Sequence, residues 1–346
     1  MQELVYFYPK GHEAHFQHGH PEKPERIETI RHSLERAGWW DQFPHLEPLP
    51  LTRDFLTKVH SSDYLDELEA ACARGSNLDG DTYTTPASWQ LALNAAGGGI
   101  AVARAVWQRE SRTGFALTRP PGHHATAQRG MGFCLLNNIA LAAQDLLIPS
   151  ESDFPPAERL AIIDLDLHHG NGTQDIFWQR PDVLYISTHQ WPHYPGSGRL
   201  EETGAGMGKG YTANFPLPPF TGDQGFLTVM DELIIPLLDR FAPQILLVSF
   251  GFDVHWLDPL GQLMLTAEAY HLLITRLVSW ADENCSGKIV LFLEGGYDLD
   301  AGGACAQAVV SALLKLPYVD PLGKPRQAQG GAWRSMLRNA HELWGI

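Results

Sequence analysis

The chain is short of cysteine, of positive charge and of long apolar runs. Its four cysteines, Cys72, Cys134, Cys285 and Cys305, are scattered through 346 residues and form no Cys-x-x-Cys pair. That pattern predicts reduced thiols in a cytoplasm, not a disulfide framework. No apolar run approaches the roughly 18 residues that a membrane helix needs, so no span is expected. The opening MQELVYFYPKGHEAHF has no basic region before an apolar stretch, so no secretory leader is expected either. Lys and Arg number 25 against 40 Asp and Glu, a net charge of −15. Binding nucleic acid directly calls for basic patches, which this balance disfavours. The charge would attract a cationic substrate, such as a lysine-rich segment or a polyamine, although solubility explains it more simply.

Linkers, internal repeats and low-complexity segments are missing too, and the apolar fraction of 44% supports a large core. We expect one domain over residues 1–346. Helical periodicity predicts helices over 24–37, 62–74, 86–108, 137–147, 223–240, 266–284 and 301–314. Apolar runs between them predict strands over 114–118, 160–166, 183–188, 245–250 and 288–293. Such alternation implies an α/β fold with a parallel sheet and helices on both faces.

Two segments carry the chemistry, Asp164-Leu-Asp-Leu-His-His-Gly170 and Gly251-Phe-Asp-Val-His255. Residues two apart on a strand share a face, so Asp166 and His168 are expected to point at one ion. Asp253, at another strand end, would add a third ligand. Three protein ligands with a position left for water is the pattern of catalytic zinc.

Polar residues also follow the other expected strands, where parallel sheets bear their active sites. His123 and His124 lie behind a Pro-Pro-Gly turn, and Tyr297 lies in Glu-Gly-Gly-Tyr-Asp. Activating a metal-bound water needs a base, and releasing an amine needs an acid; histidine serves both near neutral pH. Asp164 and Asn171 are placed to orient the histidines. The Tyr297 phenol could donate to a developing oxyanion. A lone turn tyrosine or loop histidine would be read as structural; beside a metal set, the functional reading prevails.

The blocks RPPGHHA, GFCLLNN, DLDLHHGNGT, GFDVHWLDPLG and EGGYD resemble, in order, the signatures of the histone deacetylase family. The likeness runs from His20 to the last helices and is nearest to the class II branch and bacterial histone-deacetylase-like amidohydrolases. It implies the arginase/deacetylase fold, a central eight-stranded parallel sheet flanked by helices, and zinc-dependent hydrolysis of acyl-lysine or a similar acyl-amine. By position, Asp166, His168 and Asp253 would hold Zn²⁺, with Fe²⁺ an alternative. His124 would be the base and then the acid, backed by Asn171, with His123 oriented by Asp164. Tyr297 would polarise the carbonyl. Phe133 and Tyr194 would wall the substrate tunnel, and the Gly132 carbonyl would accept the substrate amide hydrogen. A structural K⁺ would sit on Asp164, Ser187 and the carbonyls of Asp166, His168 and Thr188.

Leu260 matches lysine deacetylases, where a polyamine-selective relative carries glutamate. This favours an acyl-lysine peptide or protein over an acetylated polyamine. Tyr297, where weakly active relatives have histidine, implies real activity. An arginase-like enzyme would need extra carboxylates where Gly170 and His255 stand, and a non-catalytic binder would lack a ligand, His124 or Tyr297. A homo-oligomer remains open. His12, His15, His18 and His20 are read as surface or rim residues in preference to a second metal site. Asn171 stands where class I enzymes have aspartate, and a neutral partner stabilises histidinium less than a carboxylate does. Asn171→Asp should therefore raise the acidic limb of the kcat/KM pH profile by roughly one unit; an unmoved limb would sink that assignment.

Overall fold

The computed structural model describes residues 1–149, 154–327 and 329–346. Seven parallel strands form one sheet: β1 (Gln2–Phe7), β2 (Ser111–Ala116), β3 (Leu160–Asp164), β4 (Val183–Gln190), β5 (Thr212–Leu217), β6 (Leu246–Phe250) and β7 (Ile289–Leu293). Their spatial order is β1-β2-β7-β6-β3-β4-β5. The eight strands implied by the family resemblance are therefore not all present among the described residues. Beyond the outer edge of β1 there is a single bridge, Tyr6 to His45, where an eighth strand would lie. Pro44 cannot donate to a ladder, which limits pairing there.

The central strands are apolar on both faces because helices cover both. Leu4, Tyr6, Ile163, Val248 and Leu291 pack into one core. Their alternates Val5, Phe7, Ile162, Leu247 and Val290 pack into the other. The helices Ser88–Trp107 and Asn138–Leu147 lie against the second core, and Ala267–Asn284 and Leu299–Leu313 against the first. Most expected elements are present within a few residues of their predicted bounds.

Several differ, for physical reasons. β5 carries Pro216, which argues against a strand in sequence, but it is an edge strand, where a proline is tolerated. The helix expected over 223–240 is interrupted by a wide π-type segment, Met230–Ile234, just before Pro236. Pro236 has no N–H to offer the preceding turn. β1 and the helix Trp333–Trp344 were not foreseen. β3 ends at Asp164, two residues short of its predicted end.

The fold also anchors a loop by a buried histidine. His60 Nδ1 donates to the Thr126 carbonyl at 2.9 Å, and its Nε2 accepts from Asn137 N at 3.0 Å. The two contacts clamp both ends of the segment that carries Gly132 and Phe133. Burial lowers the His60 pKa from 6.5 to about 4. The unfolded chain therefore binds this proton first as pH falls, and the contribution, full above 6.5, is lost on the way down to 4. That is worth roughly 3 kcal/mol at most. Urea unfolding at pH 7.5 and 5 should show the loss, and His60→Gln should flatten the dependence; equal slopes in both proteins would refute it.

Candidate metal centre and active site

Strands β2, β7, β6 and β3 are consecutive neighbours, so the loops at their carboxyl ends meet. Asp166, His168 and Asp253 converge there, buried, with ligand atoms all within 4.8 Å of one another. His168 Nδ1 lies 3.2 Å from Asp166 Oδ1 and 3.2 Å from Asp253 Oδ2. Strand pleating does not produce this. Asp166 N donates to Asp164 Oδ1 (3.2 Å) and His168 N to Asp166 Oδ1 (2.8 Å), so two successive side-chain-to-backbone turns bend the chain.

The remaining carboxylate oxygens are largely satisfied. Gly295 N donates to Asp166 Oδ2 at 2.9 Å, and Leu167 N to Asp253 Oδ1 at 3.1 Å. Asp253 Oδ2, however, is buried without a hydrogen bond. An oxygen in that condition is costly, and here it faces the same point as a second carboxylate and an imidazole. Burial alone would lower the His168 pKa, but Asp166 and Asp253 raise it to about 9. The field that favours a proton there favours a divalent cation equally, and the donor set fits one. Glycines permit the approach. A Cβ on Gly251 would lie 2.0 Å from Asp166 Oδ2, and one on Gly295 would lie 2.1 Å from Asp253 Oδ2.

The tandem histidines sit beside this cluster with ring centroids 4.0 Å apart. His123 Nδ1 is 3.0 Å from Asp164 Oδ2, which also accepts from the Tyr185 hydroxyl at 3.2 Å. Burial opposes charge on His123, yet Asp164, Asp166 and Glu294 push its pKa up to about 10. His124 Nδ1 is 2.8 Å from Asn171 Oδ1. Asn171 Nδ2 points at Met131 Sδ (3.5 Å), leaving Oδ1 as the acceptor for His124 Nδ1–H and a lone pair on Nε2. Burial and the charges on His123 and His168 hold the His124 pKa well below its usual value. The two neighbouring rings are thus driven in opposite directions, His123 toward the charged form and His124 toward the neutral one.

The other expected residues border the same cluster. Tyr297 meets Phe133 edge-on at 5.8 Å. Tyr194 meets His124 at 5.2 Å and His168 at 6.0 Å. Gly132 has φ +55, and a Cβ there would strike the His124 ring at 2.5 Å. The loop over 77–86 reaches the site, since Thr82 Oγ1 accepts from Phe133 N at 3.2 Å. Leu260 is half-buried on the Asp253 loop. Behind Asp164, Ser187 Oγ lies 2.9 Å from His189 Nδ1, and Thr188 Oγ1 is buried without a partner. The carbonyls of Asp166 and His168 accept no hydrogen bond among the described residues, which fits the ligand set expected for a monovalent ion.

Charged residues that sequence reasoning missed support the Tyr297 segment. Arg26 donates to the Gly296 carbonyl (2.6 Å) and the Glu294 carbonyl (2.5 Å), and its guanidinium lies 4.8 Å from the Tyr297 ring centre. Glu22 joins Arg26 (3.1 Å) to Arg119 (2.7 Å). Glu294 Oε2 accepts from Gly122 N (2.7 Å) and His123 N (3.1 Å), and burial raises its pKa to about 7. Charged residues inside the apolar signature blocks were the available signal.

The N-terminal histidines correct the surface reading in part: His12 and His15 are buried, and only His18 and His20 reach the surface. The carbonyls of His12 and His15 accept from Arg119 at 2.6 and 2.7 Å. His12 Nε2 does meet Glu13 and Glu28, but it hydrogen-bonds Glu28 at 3.2 Å while Arg119 faces its Nδ1 at 3.5 Å. Those contacts use both ring nitrogens.

Because only hydrogen fits at Gly251, Gly251→Ala should lower divalent-ion retention about 10- to 100-fold, the usual cost of disturbing a ligand's support. Chelator competition followed by metal analysis would measure it, and wild-type retention would overturn the cradle.

Comparison with known proteins gives the same direction. The model of the histone deacetylase domain matches residues 20–313. A "Probable deacetylase" of Archaeoglobus fulgidus is 43% identical over 295 residues, spanning 84% of this chain and 80% of that protein. The "Histone deacetylase-like amidohydrolase" of Pseudomonas aeruginosa is 34% identical, spanning 88% and 80%. The crystal structure of the HDA15 HD domain superposes with a TM-score of 0.88 at 31% identity, covering 99% of this chain and 94% of that one. The chain is a hydrolase acting on amides and belongs to the histone deacetylase family.

Proposed function

We propose that the chain is a zinc-dependent deacylase that removes acetyl or other short acyl groups from lysine side chains. The observation that carries this reading is the convergence of Asp166, His168 and Asp253 beside a neutral His124 and a cationic His123. A divalent ion held by those three residues would acidify a water and polarise the acyl carbonyl.

The chain's own groups supply the rest. His124 takes the water's proton at Nε2 and later returns it to the departing amine. Asn171 holds the ring in the tautomer that makes this possible. His123, kept charged by Asp164, stabilises negative charge as it develops. Burial keeps the Tyr297 phenol protonated, hence a donor to the substrate oxygen. Phe133 and Tyr194 flank the methylene stem, the Gly132 carbonyl accepts the amide hydrogen, and Leu260 completes an apolar wall. Asp164, Ser187 and the carbonyls of Asp166, His168 and Thr188 would hold K⁺.

Gly170 and His255 support a single catalytic metal over an arginase-like pair. A Cβ at Gly170 would lie 2.0 Å from Asp164 Oδ2, and the His255 Nδ1 already accepts from Leu257 N at 3.2 Å. The same reading takes residues 1–346 as one catalytic unit working in the cytoplasm. No helix among the described residues is long and apolar enough to cross a membrane.

The test is a kcat/KM panel on zinc- and iron-loaded protein with acetyl-lysine peptides, longer acyl-lysine peptides and N-acetylated polyamines. Acyl-lysine peptides should lead. A polyamine preference of about tenfold, equivalent to 1.4 kcal/mol, would overturn the inference from Leu260. No acetate release with any of them, together with no bound metal, would overturn the enzyme reading itself.

A further inference from the structure

One buried carboxylate near the site remains without a part in the chemistry. Asp258 is 6% exposed and lies on the loop that follows β6, five residues beyond Asp253. Its Oδ2 accepts from the backbone N–H of Tyr297 at 2.6 Å and of Asp298 at 3.1 Å. Its Oδ1 accepts from Leu260 N at 3.0 Å. Three backbone donors from two loops therefore converge on one side chain. We infer that Asp258 is the positioning residue that fixes Tyr297 against the Asp253–Leu260 loop, so that the phenol and the metal-ligand loop grip the substrate carbonyl at a set distance.

The physical case rests on how few other restraints the Tyr297 segment has. Gly295 and Gly296 precede Tyr297; Gly296 adopts φ +110, where no Cβ holds the backbone in place, and Gly295 is held only by its N–H on Asp166 Oδ2 and its carbonyl on Phe252 N. Arg26 holds the carbonyls of Glu294 and Gly296 from one side. The N–H groups that follow are held by Asp258 alone. Beyond them Asp298 caps the next helix by accepting from Ala301 N at 2.8 Å, so the segment is pinned again only there. A buried carboxylate accepting several backbone N–H bonds forms strong, directional contacts. An amide in its place would set an N–H against one of the three donors, and a shorter side chain would abandon at least one loop. Loss of the clamp leaves every reacting group present but lets the phenol drift, and misplacement of about 1 Å costs on the order of 100-fold in rate.

The inference rests on the proposed role of Tyr297, and the experiment separates the two. Zinc-loaded wild type, Asp258→Asn, Tyr297→Phe and the double variant are assayed on an acetyl-lysine peptide. Asp258→Asn should lower kcat about 30- to 100-fold with KM changed less than about threefold. It should add less than about threefold to Tyr297→Phe, because both act through one hydroxyl. Hydrogen exchange in the peptide containing Tyr297 and Asp298 should speed up in Asp258→Asn while metal content stays at the wild-type level. Asp258→Ser, whose shorter side chain abandons at least one of the two loops, should lose at least as much as Asp258→Asn in both readouts and serves if the asparagine variant does not fold. Additive losses in the double variant, or unchanged exchange, would overturn the role of Asp258 while leaving that of Tyr297 intact. Undiminished turnover in Tyr297→Phe would overturn both.

Discussion

The site depends on burying negative charge at the carboxyl edge of a parallel sheet. Asp164, Asp166 and Asp253 are each 1% exposed or less, and Glu294 lies beside them equally buried. Charges taken out of water must be met by donors or by opposite charge, at several kcal/mol per uncompensated ion. The N–H groups of Asp166, Leu167, His168 and Gly295 meet part of the demand, and His123 meets more. What remains unmet faces one point among Asp166, His168 and Asp253. The demand for a cation is thus built into the folded chain.

The same buried charge separates the protonation states of two adjacent histidines. Asp164 pushes the His123 pKa up, whereas burial against a neutral amide and beside the His123 charge holds the His124 pKa well below its usual value. Opposite pKa shifts arise from one residue type, distinguished by partners alone. Glycines at 251 and 295 let the loops close to within the reach this requires. Arg26, Glu22 and Arg119 extend the pattern outward, and they tie the N-terminal segment to the Tyr297 loop.

Much of the arrangement was legible in the chain. Apolar runs ending in Asp164 and Phe250 marked β3 and β6, and the polar residues after them fell at one rim. Less legible was how Asp166 and His168 come to share a point. Strand alternation suggested the right pair by the wrong geometry, because nothing local reveals that Asp164 and Asp166 turn the backbone through their own side chains. Pro216 hid an edge strand, and the family resemblance supplied an eighth strand that here is a single bridge at His45. Asp258 and Glu294 were visible as letters in signature blocks, but their partners lie 39 and 172 residues away.

By itself, the sequence determined the α/β alternation, the kinds of ligand on offer and their order along the chain, because these are local or nearly so. Only the tertiary structure decided which of the 16 histidines are buried, charged or neutral, and which carboxylate oxygen lacks a donor. Protonation and metal affinity are set by what surrounds a group within a few ångströms. In a parallel sheet, those surroundings come from strands far apart in sequence.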